Sequence, residues 1–185
     1  AGTLLVNGTF GDPFAGGMAV RVLSGATVGG SGRIAGNLFI ADGGILAPGN
    51  GAGSLRVDAF LSLSNGSILN FDLGQAGAVG GVNNDLVSVG NLILDGVLNI
   101  AALPGFGAGY YRLFNYGGRL TDNGLTFGAL PTGFTASIRT DINGQVNVLL
   151  SSGAQQIQFW DGADLTGASA VANGDGGEGD WTTFN

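Results

Sequence analysis

Short stretches of this chain alternate apolar with polar or small residues, and each stretch ends in the same way. Leu38-Phe39-Ile40 runs into Ala41-Asp42-Gly43-Gly44 and resumes at Ile45-Leu46. The unit is apolar-x-apolar, then Asn, Asp or Ser followed by Gly, one residue, and a further apolar position. It recurs as Leu4-Leu5-Val6-Asn7-Gly8-Thr9-Phe10, as Val20 to Val28, as Leu61 to Leu69, and in a short form as Leu92-Ile93-Leu94-Asp95-Gly96-Val97-Leu98. Starts at 4, 20, 38, 61 and 92 give steps of 16, 18, 23 and 31 residues, and the longest step contains the insertion 74–84. Alternation places successive side chains on opposite faces of a strand. Asx-Gly then turns the chain, because glycine tolerates positive φ and Asn or Asp closes a turn through its own side chain.

Two architectures use such a unit. Asx-Gly between alternating strands is a hairpin signal, so an antiparallel β-sandwich is the alternative. The flanks are often only three or four residues long, however, and such strands are not stable as isolated pairs. Stacked units bury a continuous interior and satisfy each strand from its neighbours. The expectation is an all-β fold, a right-handed parallel β-helix with coils about 4.8 Å apart. Val22, Ile40, Val57 and Leu63 are expected inside, and Arg21, Phe39, Arg56 and Ser62 outside. Phe39 and Ile93 on the outer side read first as ordinary surface apolar residues, with a binding role as the second reading.

After Ala102 the pattern changes. Tyr110 to Tyr116 is a longer, aromatic-rich alternating strand, and Phe134–Ile138 and Val146–Leu150 are further strands, the last following the Asn143-Gly144 turn. Aromatics fill more volume than the Val/Leu interior upstream, so 104–150 is expected to widen or cap the solenoid and cover its edge. Residues 1–150 therefore form a β-helical segment with a loop insertion at 74–84. Residues 151–185 form a loop-rich extension, or the start of a following repeat, with Gln156–Trp160 as one more candidate strand.

Composition agrees with many short strands and tight turns. Of 185 residues, 38 are glycine and 44% are hydrophobic, with four prolines and a single Glu and Met. That mix excludes collagen and a disordered chain. The net charge is −7, and the six positive charges are scattered arginines. No basic stripe is available for phosphates, which argues against nucleic acid as a partner. No apolar run approaches membrane-spanning length. Cysteine is absent, which fits export through a bacterial envelope without disulfides. The chain opens Ala-Gly-Thr with no basic leader, and the expectation is an excised piece of a longer protein.

Several elements carry a family resemblance. Gly2-Thr3-Leu4-Leu5-Val6-Asn7-Gly8, Leu46-Ala47-Pro48-Gly49-Asn50, Leu69-Asn70-Phe71-Asp72-Leu73-Gly74, Asn84-Asp85-Leu86-Val87-Ser88-Val89 and Tyr111-Arg112-Leu113-Phe114-Asn115-Tyr116 resemble the autotransporter-associated β-strand repeat, also called the passenger-associated transport repeat. Phe159-Trp160-Asp161-Gly162 resembles the lead-in to another repeat. The resemblance implies a passenger segment of a type V secreted autotransporter on the surface of a Gram-negative bacterium. It also implies a C-terminal translocator β-barrel in the full-length protein. It carries no catalytic residues over.

Candidate chemistry is sparse. The sequence has no His and no Cys, which removes Ser/His and Cys/His catalysis and ordinary zinc sites. Without lysine there is no phosphate loop. Asp161 with Asp164, or Asp175 with Asp180, are the pairs a β-helical polysaccharide-degrading enzyme could use, but both lie in glycine-rich segments. The stretch 175–180 resembles a calcium nonapeptide, yet Trp181 stands where that motif needs Asp, and a single copy does not build a roll. Asn7-Gly8-Thr9 and Asn65-Gly66-Ser67 match glycosylation sequons on repeat turns. The expectation is therefore no catalytic, cofactor-binding or metal residues and no enzymatic activity. The segment is expected to be a stalk that supports export, folding and surface display. The alternative is an adhesin surface for host protein, glycan, extracellular matrix or another copy of itself.

Overall fold

The computed structural model describes residues 2–12 and 18–153. The chain circles three faces in order, and each circuit stacks on the one before. The first circuit comprises β1 (Thr3–Leu5), β2 (Thr9–Phe10) and β3 (Ala19–Val22), and the second β4 (Thr27–Gly30), β5 (Arg33–Ile34) and β6 (Asn37–Ile40). Next come β7 (Ile45–Pro48) with β8 (Ser54–Leu63), then β9 (Ile68–Leu73) with β10 (Leu86–Leu94). β11 (Val97–Ala102), β12 (Gly109–Tyr116) and β13 (Leu120–Asp122) follow, then β14 (Thr126–Phe127) and the closing pair β15 (Phe134–Arg139) and β16 (Gln145–Ser152).

The first face is a six-stranded sheet in the order β1-β4-β7-β9-β11-β14, with every pair parallel. The second face stacks β2, β5, the first halves of β8 and β10, and β12. The third stacks β3, β6, the second halves of β8 and β10, and β13. Because β8 and β10 bend across the corner without a break, the second and third faces merge into one sheet, which reaches ten strands with β15 and β16. Parallel pairing between successive circuits settles the architecture: it is a parallel β-solenoid, and the antiparallel sandwich is excluded for these faces.

The repeat register holds for four of the five units read from the sequence. Val20 pairs with Leu38, Leu38 with Leu61 and Leu61 with Leu92, all on the third face. The first unit is a correction. Leu4 pairs with Val28 on the first face, so the stretch 4–10 crosses a different corner and is not equivalent to the rest. The column continues instead to Leu120, which pairs with Leu92.

Interior rows follow the alternation. Val28, Leu46, Leu69 and Leu98 line the first face, all with no exposed surface. They face Leu38, Leu61 and Leu92 and the row Ile40, Leu63 and Leu94, each at most 2% exposed. Val22 and Val57 are likewise inside, as expected. Full burial of one such side chain is worth roughly 1.5–3 kcal/mol, so the column is the main source of cohesion. Arg21 and Arg56 are exposed, and Phe39 and Ser62 are half-buried on the outer side.

The Asx-Gly corners stack as well. The Gly25 N–H donates to Gly43 O at 2.8 Å, and the Gly43 N–H to Gly66 O at 2.7 Å. The Gly66 N–H is also accepted by Asp42 Oδ1 at 2.9 Å. In the short form the corner is cut to Asp95-Gly96, and the backbone passes directly over Ser67. A Cβ on Gly96 would lie 2.4 Å from Ser67 Oγ, and its φ of 104° favours glycine in any case.

After Gly128 the circuit is abandoned. β16 runs antiparallel to β12, and β15 runs antiparallel to β16. This hairpin covers the edge of the second face, as expected of a cap. Tyr111, Leu113, Phe114 and Tyr116 of β12 turn inward and enlarge the core there. Phe114 meets Phe71 of the first face, ring centroids 5.5 Å apart and planes at 56°. Phe106 packs on both Tyr111 and Phe134, tying the hairpin to the last circuit.

Candidate functional site

A solenoid offers its outward rows and its corners for function. On the second face, Arg33 and Arg56 lie side by side in register. Two like charges directly opposite one another repel, and Asp58 relieves this by pairing with both. Its Oδ2 is 2.6 Å from Arg33 Nη2, and its Oδ1 accepts from Arg56 Nε at 2.8 Å. The Arg33 hydrogen bond, helped by Arg56, holds the Asp58 carboxyl below its usual range. One carboxylate shared by two guanidinium groups ties adjacent circuits together, and the cluster reads as a structural brace.

The insertion 74–84 folds around one side chain. Asn84 has no exposed surface. Its Oδ1 accepts from the Gly74 N–H at 2.8 Å and the Gln75 N–H at 3.1 Å. Its Nδ2 donates to Gln75 O at 2.7 Å and Ala78 O at 2.8 Å. All of the amide's common hydrogen-bond capacity is thus used inside the loop.

Asp85, 1% exposed, then joins two circuits. Its Oδ1 accepts from the Gly53 N–H of the preceding corner at 2.7 Å, and its Oδ2 from the Asp72 N–H at 2.8 Å. Burial pushes its pKa up to about 7; the two backbone hydrogen bonds oppose the rise and the nearby Asp72 charge adds to it. A carboxyl with a raised folded-state pKa binds protons more tightly when folded than when unfolded, so stability rises as pH falls from about 7 towards 3.8. Asp58 acts oppositely: its lowered pKa contributes stability above 3.8, and that contribution is lost below it. Melting temperature followed by circular dichroism is therefore expected to climb on acidification from pH 7.5 to about 4.5 and to fall again at lower pH. Asp85→Asn is expected to abolish the rising limb.

The third face carries the apolar candidates. One outward row runs Arg21, Phe39, Ser62, Ile93 and Thr121, each paired with the next. In the neighbouring row Phe60 pairs with Asn91, whose Oδ1 accepts from the Arg119 N–H at 2.8 Å. Phe39 and Phe60 are 6.0 Å apart between ring centroids, and the Arg21 guanidinium lies 5.3 Å from the Phe39 ring centre. Below them a shallow groove of about 390 Å³ is lined by Phe60, Asn91, Leu92, Ile93, Arg119 and Thr121. Phe39 and Ile93 are thus brought onto one face, although sequence reading treats them as isolated. Phe60 and Arg119 escape it because they fall between repeat units.

Among the described residues there is no group of three or more His, Cys, Asp or Glu able to hold a metal. Asp161, Asp164, Asp175, Glu178 and Asp180, with the 161–181 loop and the Gln156–Trp160 strand, lie outside the described residues. The acceptors of both sequons, Asn7 and Asn65, are exposed, whereas Ser67 of the second triplet is completely buried.

No family model matches the chain. Over 149 residues, 78% of its length, it is 50% identical to the Adhesin BmaC autotransporter of Brucella suis biovar 1 (strain 1330). The matched stretch is only 4% of that relative. Identity at this level, carried by a parallel solenoid with a hairpin at its last circuit, places the chain among autotransporter passengers: it is a β-solenoid segment of the kind that Gram-negative bacteria export to their surface.

Proposed function

We propose that this segment is a non-catalytic stalk within an adhesin passenger, holding other parts of the polypeptide away from the cell surface and supporting export and folding. The observation that carries this reading is the unbroken interior column from Val28 through Leu98. A rod of stacked circuits is a spacer by construction, and it matches a small part of a very long adhesin-named relative. The absence of His and Cys from the sequence supports a role without nucleophilic catalysis. In this reading residues 1–150 are the rod and 151–185 lead into the next repeat of the polypeptide. The translocator β-barrel of the full-length protein is the one partner the role requires, and host surface or matrix is contacted by the passenger as a whole.

Deleting residues 2–153 from the full-length passenger is the test. Surface display, measured by antibody against a distal epitope, is expected to drop several-fold, with adhesion per displayed molecule to a surface free of anionic polysaccharide unchanged. Normal display combined with lost adhesion would refute the stalk and favour a direct binding role.

A further inference from the structure

We propose that the third face is a binding surface for an anionic polysaccharide laid along the solenoid axis. The protein has a net charge of −7, yet this face carries two arginines with no carboxylate partner among the described residues. There the only arginine–carboxylate pairs are those of Arg33 and Arg56 with Asp58, on the second face. Arg21 and Arg119 are both exposed, at opposite ends of the outward rows. Four strand spacings separate their circuits, about 19 Å.

Between them lie the half-buried Phe39 and Phe60 rings, 6.0 Å apart, then Ile93 and Thr121 around the shallow groove. A surface made of aromatic faces, a hydroxyl and two separated cations matches a sugar chain bearing uronate or sulfate groups. The apolar C–H face of a pyranose rests on the Phe60 ring, while Arg21, held over the Phe39 ring, and Arg119 meet the anionic substituents. The strand spacing is also close to the advance of one pyranose residue along an extended chain, so successive circuits present contacts at the ligand's own period. A compact small molecule would find no enclosure in so open a groove. An acidic peptide is the competing occupant, but it makes less use of an aromatic ring face.

The test is calorimetric titration of the intact chain with heparin fragments and with polygalacturonate, using dextran as the neutral control and poly-glutamate as the acidic-peptide control. Expected results are binding to at least one anionic polysaccharide that weakens steeply with added salt, and none to dextran. The Arg21→Ala/Arg119→Ala double variant and the Phe60→Ala variant should each weaken binding by about tenfold or more. Arg139→Ala, on the closing hairpin, should leave it unchanged. Phe60→Leu, which retains bulk but no ring, should behave like Phe60→Ala and guards against a folding defect. No binding to either polyanion, or binding unchanged in the double variant, overturns the proposal. Binding unchanged in both Phe60 variants also overturns it, by reducing the effect to charge alone. Poly-glutamate bound as tightly as polysaccharide overturns it in favour of an acidic peptide.

Discussion

Phe71→Ala is expected to destabilise the solenoid by about 3–5 kcal/mol, the range for removing a large aromatic from a closed core. Phe71 is 1% exposed and Phe114 fully buried, and their rings bridge the first and second faces at the circuit where the core widens. Truncation leaves a void that neighbours on two fixed ladders cannot close, because each is held in register by the strands above and below it. The contact between the rings adds about 0.5–1.5 kcal/mol beyond area burial. Urea unfolding followed by far-UV circular dichroism measures the loss. Phe71→Leu, which keeps most of the volume, should cost less than half as much.

Asn84→Ala should rank second, at about 2–4 kcal/mol. It strips partners from the Gly74 and Gln75 amides and from the Gln75 and Ala78 carbonyls at once, and each buried polar group left unmet costs about 1–3 kcal/mol. Opening of the loop to water returns part of this, which sets the upper limit. Hydrogen exchange should quicken across 74–84 while the Leu86–Leu94 strand stays protected. Asn84→Asp is expected not to rescue, despite its nearly identical shape. A carboxylate cannot donate to the two carbonyls that Nδ2 now serves.

The parts of this fold that the sequence exposes are the ones governed by local rules. Alternation and Asx-Gly turns identify strands and corners, and the step from Val20 to Leu38 to Leu61 to Leu92 is a true structural register. The misplaced first unit has a physical cause. Leu4–Phe10 also reads apolar, Asn-Gly, apolar, and nothing local distinguishes the corner after the first face from the corner after the third. The continuation at Leu120 is hidden for the opposite reason. Where earlier circuits place Leu63 or Leu94, this one places the exposed Asp122, because the interior is closing and no apolar side chain is required there.

Burial of Asn84 and Asp85 is equally illegible. A polar pair beside a glycine-rich insertion reads as solvated loop, and the backbone donors that bring Asp85 inside, the Gly53 and Asp72 N–H groups, are distant in sequence. The third-face surface is half visible in the sequence. Phe39 and Ile93 can be assigned outward from alternation, but their convergence with Phe60 and Arg119 depends on pairing across circuits of unequal length.

That unequal length is itself unevenly distributed. The corner between the first and second faces holds two residues after Gly30, five after Pro48 and twelve after Leu73. The corner between the third and first faces never exceeds four. The corner between the second and third faces is long only in the first circuit, with eight residues after Phe10, so the first-to-second corner is where residues accumulate repeatedly without disturbing the rest. A single residue gained inside a third-face strand would instead exchange its inward and outward side chains. Selection on such a rod can elaborate one longitudinal seam freely while the third-to-first seam stays fixed, so diversity among related passengers should be concentrated along the first-to-second seam of the surface.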